Sequence, residues 1–543
     1  VATHEVFNQP PPLADYDVFA ADAALVEALR REGAGWAEDE LGSLGRLAGS
    51  PEAIAWGFQA NANPPVLRTH DRYGNRIDEV EYHPAYHSLM QVAVGHGMHA
   101  APWAEARTGA HVARAAKFYV WSQVEPGHGC PISMTYAVVP AMRASASVAA
   151  GWEPLLFSRD YDGRNLPASE KRGAIAGMAM TEKQGGSDVR ANTTRAVPAG
   201  SGEVFALTGH KWFCSAPMSD VFLMLAQAPG GLSCFAVPRW RPDGTKNAVA
   251  LQRLKDKLGN RSNASSEIEM DGAYGVLVGE EGRGVRTIIS MVNHTRLDCV
   301  IGVAATMRQA FAQAAHHASH RAAFGKVLIE QPLMANVLAD LAVESEAATV
   351  TMMRLARAYD SGAPADAAFA RLATAVSKYW ICKRAPVFVG EALECLGGNG
   401  FVEESIMPRL FRESPLNGIW EGSGNVMCLD VLRAMAREPE SLDAFRDEVL
   451  AAAGADARFD EFCGVVNAQL QDVDELEVRA RRIVESMALA LQGSLLLRFG
   501  DPAVADAFCA SRLGGEWGVA FGTLPARSGL RLDAIVERAR PKP

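Results

Sequence analysis

The run "GEVFALTGHKWFCSAP", residues 202–217, decides the fold. Its Val and Phe residues sit among small and polar ones, and Gly and Pro bound it, which is the texture of a strand. "DVFLMLAQAPGGLSCFAVPRW" and "SSEIEMDGAYGVLVG" continue in the same style, so residues 177–285 read as a β domain. On both sides the apolar spacing becomes helical, in "HPAYHSLMQVAVGHGMHAAPW" and "HVARAAKFYVWSQVE" before it and in "MANVLADLAVESEAATVTMMRLARAYD" after it. The expected layout is α+β without alternating βαβ units. A Pro-rich arm and first helix cover 1–50, a helical domain 51–176, the β domain 177–285, a helical bundle 286–436 and an appended helical module 437–543.

Composition narrows the function. The chain has 543 residues, 48% apolar and 21% charged, and a net charge of -10, an ordinary globular balance that gives no general attraction to nucleic acid or anionic membrane. No stretch of about 18 apolar residues and no basic leader is seen, so a cytoplasmic location is expected. Nine scattered cysteines without a C-x-x-C pair point to reduced thiols.

Two familiar motifs fail. "GEEGRGVR", 279–286, lacks the G-x-G-x-x-G spacing and leads from a β region into a long helix, and no phosphate-binding G-x-x-x-x-G-K-[ST] loop occurs. His316 and His320 have metal-ligand spacing on a helix but no further ligands, so no metal is expected. More informative is "MAMTEKQGGSDV", 178–189, a hydroxyl residue, an acid, a Gly pair and Ser187 at the entrance to the β domain, with backbone N–H groups available to a polar ligand. "IWEGSGNVM", 419–427, sets one carboxylate, Glu421, between a large ring and small residues.

Taken in order, these pieces resemble the flavin-dependent acyl-CoA dehydrogenase family over roughly 51–436. The resemblance implies an N-terminal helical domain, a central β-barrel or sandwich and a C-terminal helical bundle. It gives "TEKQGGSD" to the flavin, with Met178, Met180, Thr181 and Ser187 facing it. In "KWFCS" it puts Phe213 over the isoalloxazine, Cys214 beside it and Ser215 toward N5. In "RAAFG", Arg321 and Phe324, joined by Gln331, inherit contacts to the FAD diphosphate and adenine across a subunit interface. A planar guanidinium suits a diphosphate. "ECLGGNGF" brings Glu394, Gly397 and Gly398 to the adenosine portion, with Glu394 standing where the family commonly has Gln.

Trp420, Gly422, Ser423 and Asn425 complete the expected cofactor contacts. One branch of the family keeps its base just before the arginine matched by Arg296, where this chain has Thr295, so Glu421 is the expected base and Arg296 its active-centre neighbour. Burial beside Trp420 and flavin is expected to raise the Glu421 carboxyl toward working pH.

The arm and the residues after 436 look most like the AidB-like, alkylation-response branch. That likeness implies FAD, a homotetramer, weak activity on short branched acyl-CoA such as isovaleryl-CoA, and double-stranded DNA binding through the last module. From residue 441 onward acidic side chains outnumber basic ones, 16 to 12. Grouping can still make a positive face, and Arg479, Arg481, Arg482, Arg527, Arg531 and Arg538 are the candidates. A DNA-associated protective flavoprotein with a largely residual dehydrogenase site is the alternative.

Overall fold

A computed structural model describes residues 3–200, 202–526 and 529–542. The chain divides into two compact units, one made of 55–107 and 125–295, the other of 1–54, 108–124 and 296–543.

The first unit is built on the β domain. Strands β1 (Val66–His70) and β2 (Arg76–Glu81) form an antiparallel hairpin. Then come β3 (Ala176–Ala179), β4 (Arg195–Pro198), β5 (Val204–Ser215), β6 (Val221–Ala228), β7 (Gly231–Pro238), β8 (Val249–Leu254) and β9 (Ser265–Val278). Pairing runs β6–β4–β5–β9–β7 and returns from β7 to β6, closing a barrel, with β3 on β6 and β8 on β9. Along β6, Phe222, Met224 and Ala226 enter one apolar cluster with Phe205, Leu207 and Phe235, while Val221, Leu223 and Leu225 enter another with Val138 and Met142 of helix Gly129–Met142. Burial on both faces explains why "VFLMLA" lacks alternation.

The second unit is helical. Pro at the first turn starts Pro332–Ser361 and Pro364–Glu394, and Gly362, at φ 66°, ends the former with a left-handed cap.

Three sequence expectations need correction. Segment 51–176 is not purely helical: Asp71 accepts the N–H groups of Tyr73 (2.8 Å) and Asn75 (2.9 Å), and that turn folds β1 onto β2. Helix Ala110–Ser122 is buried at every residue and belongs to the helical unit, where Arg114 pairs with Asp298 and Lys117 with Glu40. The module 437–543 is no appendage. Helix Leu476–Phe499 is buried almost continuously from Ile483 to Leu496 and packs on both Pro332–Ser361 and Pro364–Glu394. Arg512, fully buried, pairs with Asp340 and Glu344.

Candidate active site

In the barrel unit the two segments expected at the flavin are joined. The backbone N–H of Trp212 donates to the Thr181 carbonyl at 2.8 Å, tying β5 to the loop after β3. Below this contact Glu182, fully buried, accepts Lys211 Nζ at 2.9 Å, the Thr193 N–H at 2.7 Å and the Thr194 N–H at 3.2 Å. Lys211 Nζ also donates to the Leu225 carbonyl at 2.7 Å. Burial acts against the Glu182 charge, but hydrogen bonds from Thr194, Lys211 and Thr193 outweigh it and hold the carboxyl well below the usual range. Gly186 is required here because a Cβ on it would collide with Thr181 Oγ1. This Glu182–Lys211 lock was missed in the sequence, although both residues lie inside the quoted motifs.

A bulge in β5 decides what faces out. Lys211 pairs with Ile268 and Cys214 with Ser266, so β5 carries one extra residue against β9. An inserted residue re-aims its neighbours. Phe213 is 51% exposed, Ser215 is half-buried with its Oγ 3.4 Å from that of Ser265, and Cys214 turns inward. The side chains of two expected cofactor contacts are buried instead. Cys214 lies in the barrel core, where burial pushes its thiol up to about 12, and Met178 packs in the cluster with Leu223, so neither side chain is presented with Phe213. Met180 and Thr181 are half-buried and Ser187 is exposed.

In the helical unit, Glu421 sits in a left-handed turn at φ 58°, followed by Gly422 at φ 104°. Such a conformation is costly for a non-Gly residue unless the surroundings enforce it. Here two buried cations enforce it. Lys378 Nζ donates to the carbonyls of Asn417 (3.0 Å), Trp420 (2.9 Å) and Gly422 (2.7 Å). Arg296 Nε donates to the Glu421 carbonyl at 3.0 Å, and its Nη1 pairs with Asp430 at 2.9 Å. Ser423 then stands at the N-cap position of helix Gly424–Arg437 without a side-chain capping bond, and Trp420 Nε1 donates to Asn417 Oδ1 at 2.6 Å. Nothing in the local sequence around Lys378 announced this clamp.

The remaining candidates lie on two segments of the same unit. Residues 321–327 form a small hairpin, Ala322–Ala323 against Lys326–Val327, with Phe324 and Gly325 at its tip at φ 53° and 81°. Phe324 is fully exposed, Arg321 half-buried, and Gln331 Nε2 donates to the Ala323 carbonyl at 3.0 Å. Glu394 ends helix Pro364–Glu394, and Gly397 and Gly398 are exposed just beyond it. Asn425 Oδ1 accepts Arg481 Nε at 2.8 Å.

Of the basic candidates, Arg479 is turned back on the carbonyls of Asp472 (2.5 Å) and Asp474 (2.9 Å), and Arg538 is held by Glu27 (2.6 Å) and Glu346 (3.1 Å). Arg481, Arg482 and Arg531 are exposed, and Arg527 lies outside the described residues. The rings of His316 and His320 lie 4.4 Å apart and tilted by 45°, and His316 Nε2 is 2.9 Å from the Pro11 carbonyl. Among the described residues no group of three or more His, Cys, Asp or Glu is placed to hold a metal ion, and no helix is long and apolar enough to cross a membrane.

Each unit by itself carries groups suited to part of a flavin dinucleotide: hydroxyls at Thr181, Ser187 and Ser215 with an outward ring at Phe213 in the barrel unit, and in the helical unit a hairpin that bears Arg321 and the exposed Phe324. The protein is an FAD-dependent oxidoreductase of the acyl-CoA dehydrogenase type. The chain belongs to the acyl-CoA dehydrogenase family. Residues 177–273 match that family's middle domain and 282–436 its C-terminal domain, while 8–163 match the domain described as "Adaptive response protein AidB N-terminal domain".

The chain is 48% identical over 520 residues to "Putative acyl-CoA dehydrogenase AidB" of Escherichia coli (strain K12), covering 95% of this chain and 96% of that one. It is 29% identical to acyl-CoA dehydrogenase family member 11 of Caenorhabditis elegans, over 82% of this chain and 72% of that one. Among solved structures, Caenorhabditis elegans ACDH-11 in complex with C11-CoA superposes with a TM-score of 0.85 at 27% identity, covering 94% and 93% of the two chains.

Proposed function

We propose that Glu421 is the base that removes the α-proton of an acyl-CoA thioester, and that the substrates are short branched acyl groups of the isovaleryl kind. The observation that carries this reading is the clamp on residues 417–422: a strained turn held by two buried cations through its carbonyls fixes the main chain from which the Glu421 side chain and N–H project. In the reaction the α-proton passes to a Glu421 oxygen, and the electron pair left on the α-carbon forms the double bond. The Glu421 N–H donates to the thioester oxygen and stabilises the charge that develops there. FAD, when bound, accepts the hydride that leaves the β-carbon.

Thr181, Ser187, Phe213 and Ser215 would hold and cover the flavin ring. Arg321, Phe324, Gln331, Gly397 and Gly398 would hold its diphosphate and adenosine, in a homotetramer. Phe324, fully exposed on a left-handed hairpin tip, supports a role for that tip against a ligand or neighbouring subunit. The test is bleaching of the flavin absorption by isovaleryl-CoA, read as a function of pH. Bleaching by Glu421→Gln at the wild-type rate would remove the base assignment.

A second reading adds double-stranded DNA binding and a part in the cytoplasmic response to alkylating agents, with the dehydrogenase site largely residual. The adaptive-response description of the domain matched by 8–163 supports it, and Arg481, Arg482 and Arg531 are the exposed cations available for phosphate. Duplex binding by the full chain, measured against salt, tests it.

A further inference from the structure

Residues ahead of the first helix make a set of contacts that the reaction does not use. Asn8 forms a reciprocal pair with the backbone of Ala322: its Nδ2 donates to the Ala322 carbonyl at 2.9 Å and its Oδ1 accepts the Ala322 N–H at 2.8 Å. The Asn8 carbonyl accepts Arg321 Nη1 at 2.7 Å. Asn8 does this at φ 57°, a left-handed conformation that Asn tolerates better than most residues. The next residue, Gln9, accepts Asn399 Nδ2 at 3.2 Å, and the Pro11 carbonyl lies 2.9 Å from His316 Nε2. Two neighbouring side chains therefore bridge the hairpin 321–327 and the Gly-rich turn 397–400, which lie far apart in sequence.

The Asn8 contacts have a particular form. An amide side chain that satisfies both backbone groups of Ala322 acts as a short added strand on the hairpin edge. It fixes the hairpin where the hairpin's own two-residue strands provide little, since so short a ladder is marginal by itself. The Asn8 carbonyl also fixes one nitrogen of the Arg321 guanidinium, leaving its other donors for an anion.

We propose that the N-terminal arm is a clasp for the adenosine end of FAD, in which Asn8 and Gln9 are positioning residues that hold hairpin 321–327 and turn 397–400 ready for the dinucleotide. This rests on the reading that Arg321 and the Gly397–Gly398 turn meet the diphosphate and adenosine.

The experiment uses full-length apoprotein, freed of flavin and checked for unchanged size by light scattering, titrated with FAD and separately with FMN, which has the same ring but no adenosine. Asn8→Gly keeps the left-handed backbone and removes only the side chain. It is expected to bind FAD about tenfold more weakly, the effect of losing two hydrogen bonds, with FMN affinity unchanged. Asn8→Asp keeps the acceptor but not the donor and is expected to fall between the two; it carries the test if the glycine variant does not fold. Arg321→Ala serves as the control. Equal weakening of both flavins by the Asn8 variants, or no change in either, overturns the clasp. FAD-selective loss in Arg321→Ala alone removes the clasp and keeps the diphosphate reading, whereas unchanged FAD binding in Arg321→Ala removes that reading.

Discussion

Two buried lysines, one in each unit, are satisfied in different ways. Lys211, in the barrel unit, is neutralised by a buried carboxylate, Glu182, and adds one carbonyl. Lys378, in the helical unit, donates to three main-chain carbonyls of the Glu421 turn. An ammonium taken out of water needs strong partners, and either solution supplies them. The consequences differ. The Glu182–Lys211 pair leaves no net charge beneath the loop 181–188, whose surface offers the hydroxyls of Thr181 and Ser187. The Lys378 clamp gathers carbonyl dipoles under a positive charge and holds a left-handed turn whose next group is a carboxylate. One lysine fixes the loop after β3, the other the main chain around the proposed base.

The largest expected effect is at the proposed base. Glu421→Gln should slow flavin bleaching by acyl-CoA by about 10²–10⁴-fold while FAD stays bound, since the amide cannot accept the proton. Retention of fast bleaching would leave the left-handed turn without its assigned purpose.

Lys211→Met should cost about 3–5 kcal/mol of stability, because it strands a buried carboxylate, and the double variant with Glu182→Gln should recover part of the loss. Lys378→Met should also destabilise, since each carbonyl left unsatisfied costs about 1–3 kcal/mol, yet no second substitution of an acid should rescue it. Rescue patterns read from thermal denaturation separate the two designs, and identical patterns would erase the contrast.

The pH dependence follows from Glu182. Its folded carboxyl lies below the unfolded value of about 4.3, so its contribution is complete above that pH and is lost as pH falls further. Unfolding midpoints should therefore drop with acid below about pH 4 in the wild type and less steeply in Glu182→Gln.

The smallest effect concerns DNA. Reversing Arg481, Arg482 or Arg531 singly to Glu should flatten the slope of log affinity against log salt by about one for each phosphate that is no longer neutralised. Slopes unchanged by all three would remove that face from the second reading.

The barrel was legible because short apolar runs bounded by Gly and Pro leave few alternatives to strands. The hairpin 66–81 was hidden by a polar turn, and its strands alternate too weakly to stand out. The apolar spacing of helix Ala110–Ser122 was legible, but its burial on all sides was not, because Arg114 and Lys117 are paired inside by Asp298 and Glu40 from elsewhere in the chain. Resemblance singled out Glu421 and Arg296 as candidates, and in the structure the two meet through a main-chain carbonyl. It could not find Lys378, whose partners are carbonyls and leave no side-chain signature. The inward turn of Cys214 depends on a single extra residue in β5, a register detail that no local pattern records.

The interleaving of the two units also sets an order in time. As the chain leaves the ribosome, the barrel unit has all its residues once position 295 has emerged. The helical unit begins with the first residues and has helix Leu476–Phe499 and Arg512 in its core, so it must wait for the last segments. Residues 1–54 and 108–124 are therefore made early and spend most of synthesis without their final neighbours, exposing the apolar faces of Leu25, Leu29 and Tyr119. Segments held in that condition are the ones chaperones recognise, and slowing translation after residue 300 should make this protein aggregate more than slowing it before.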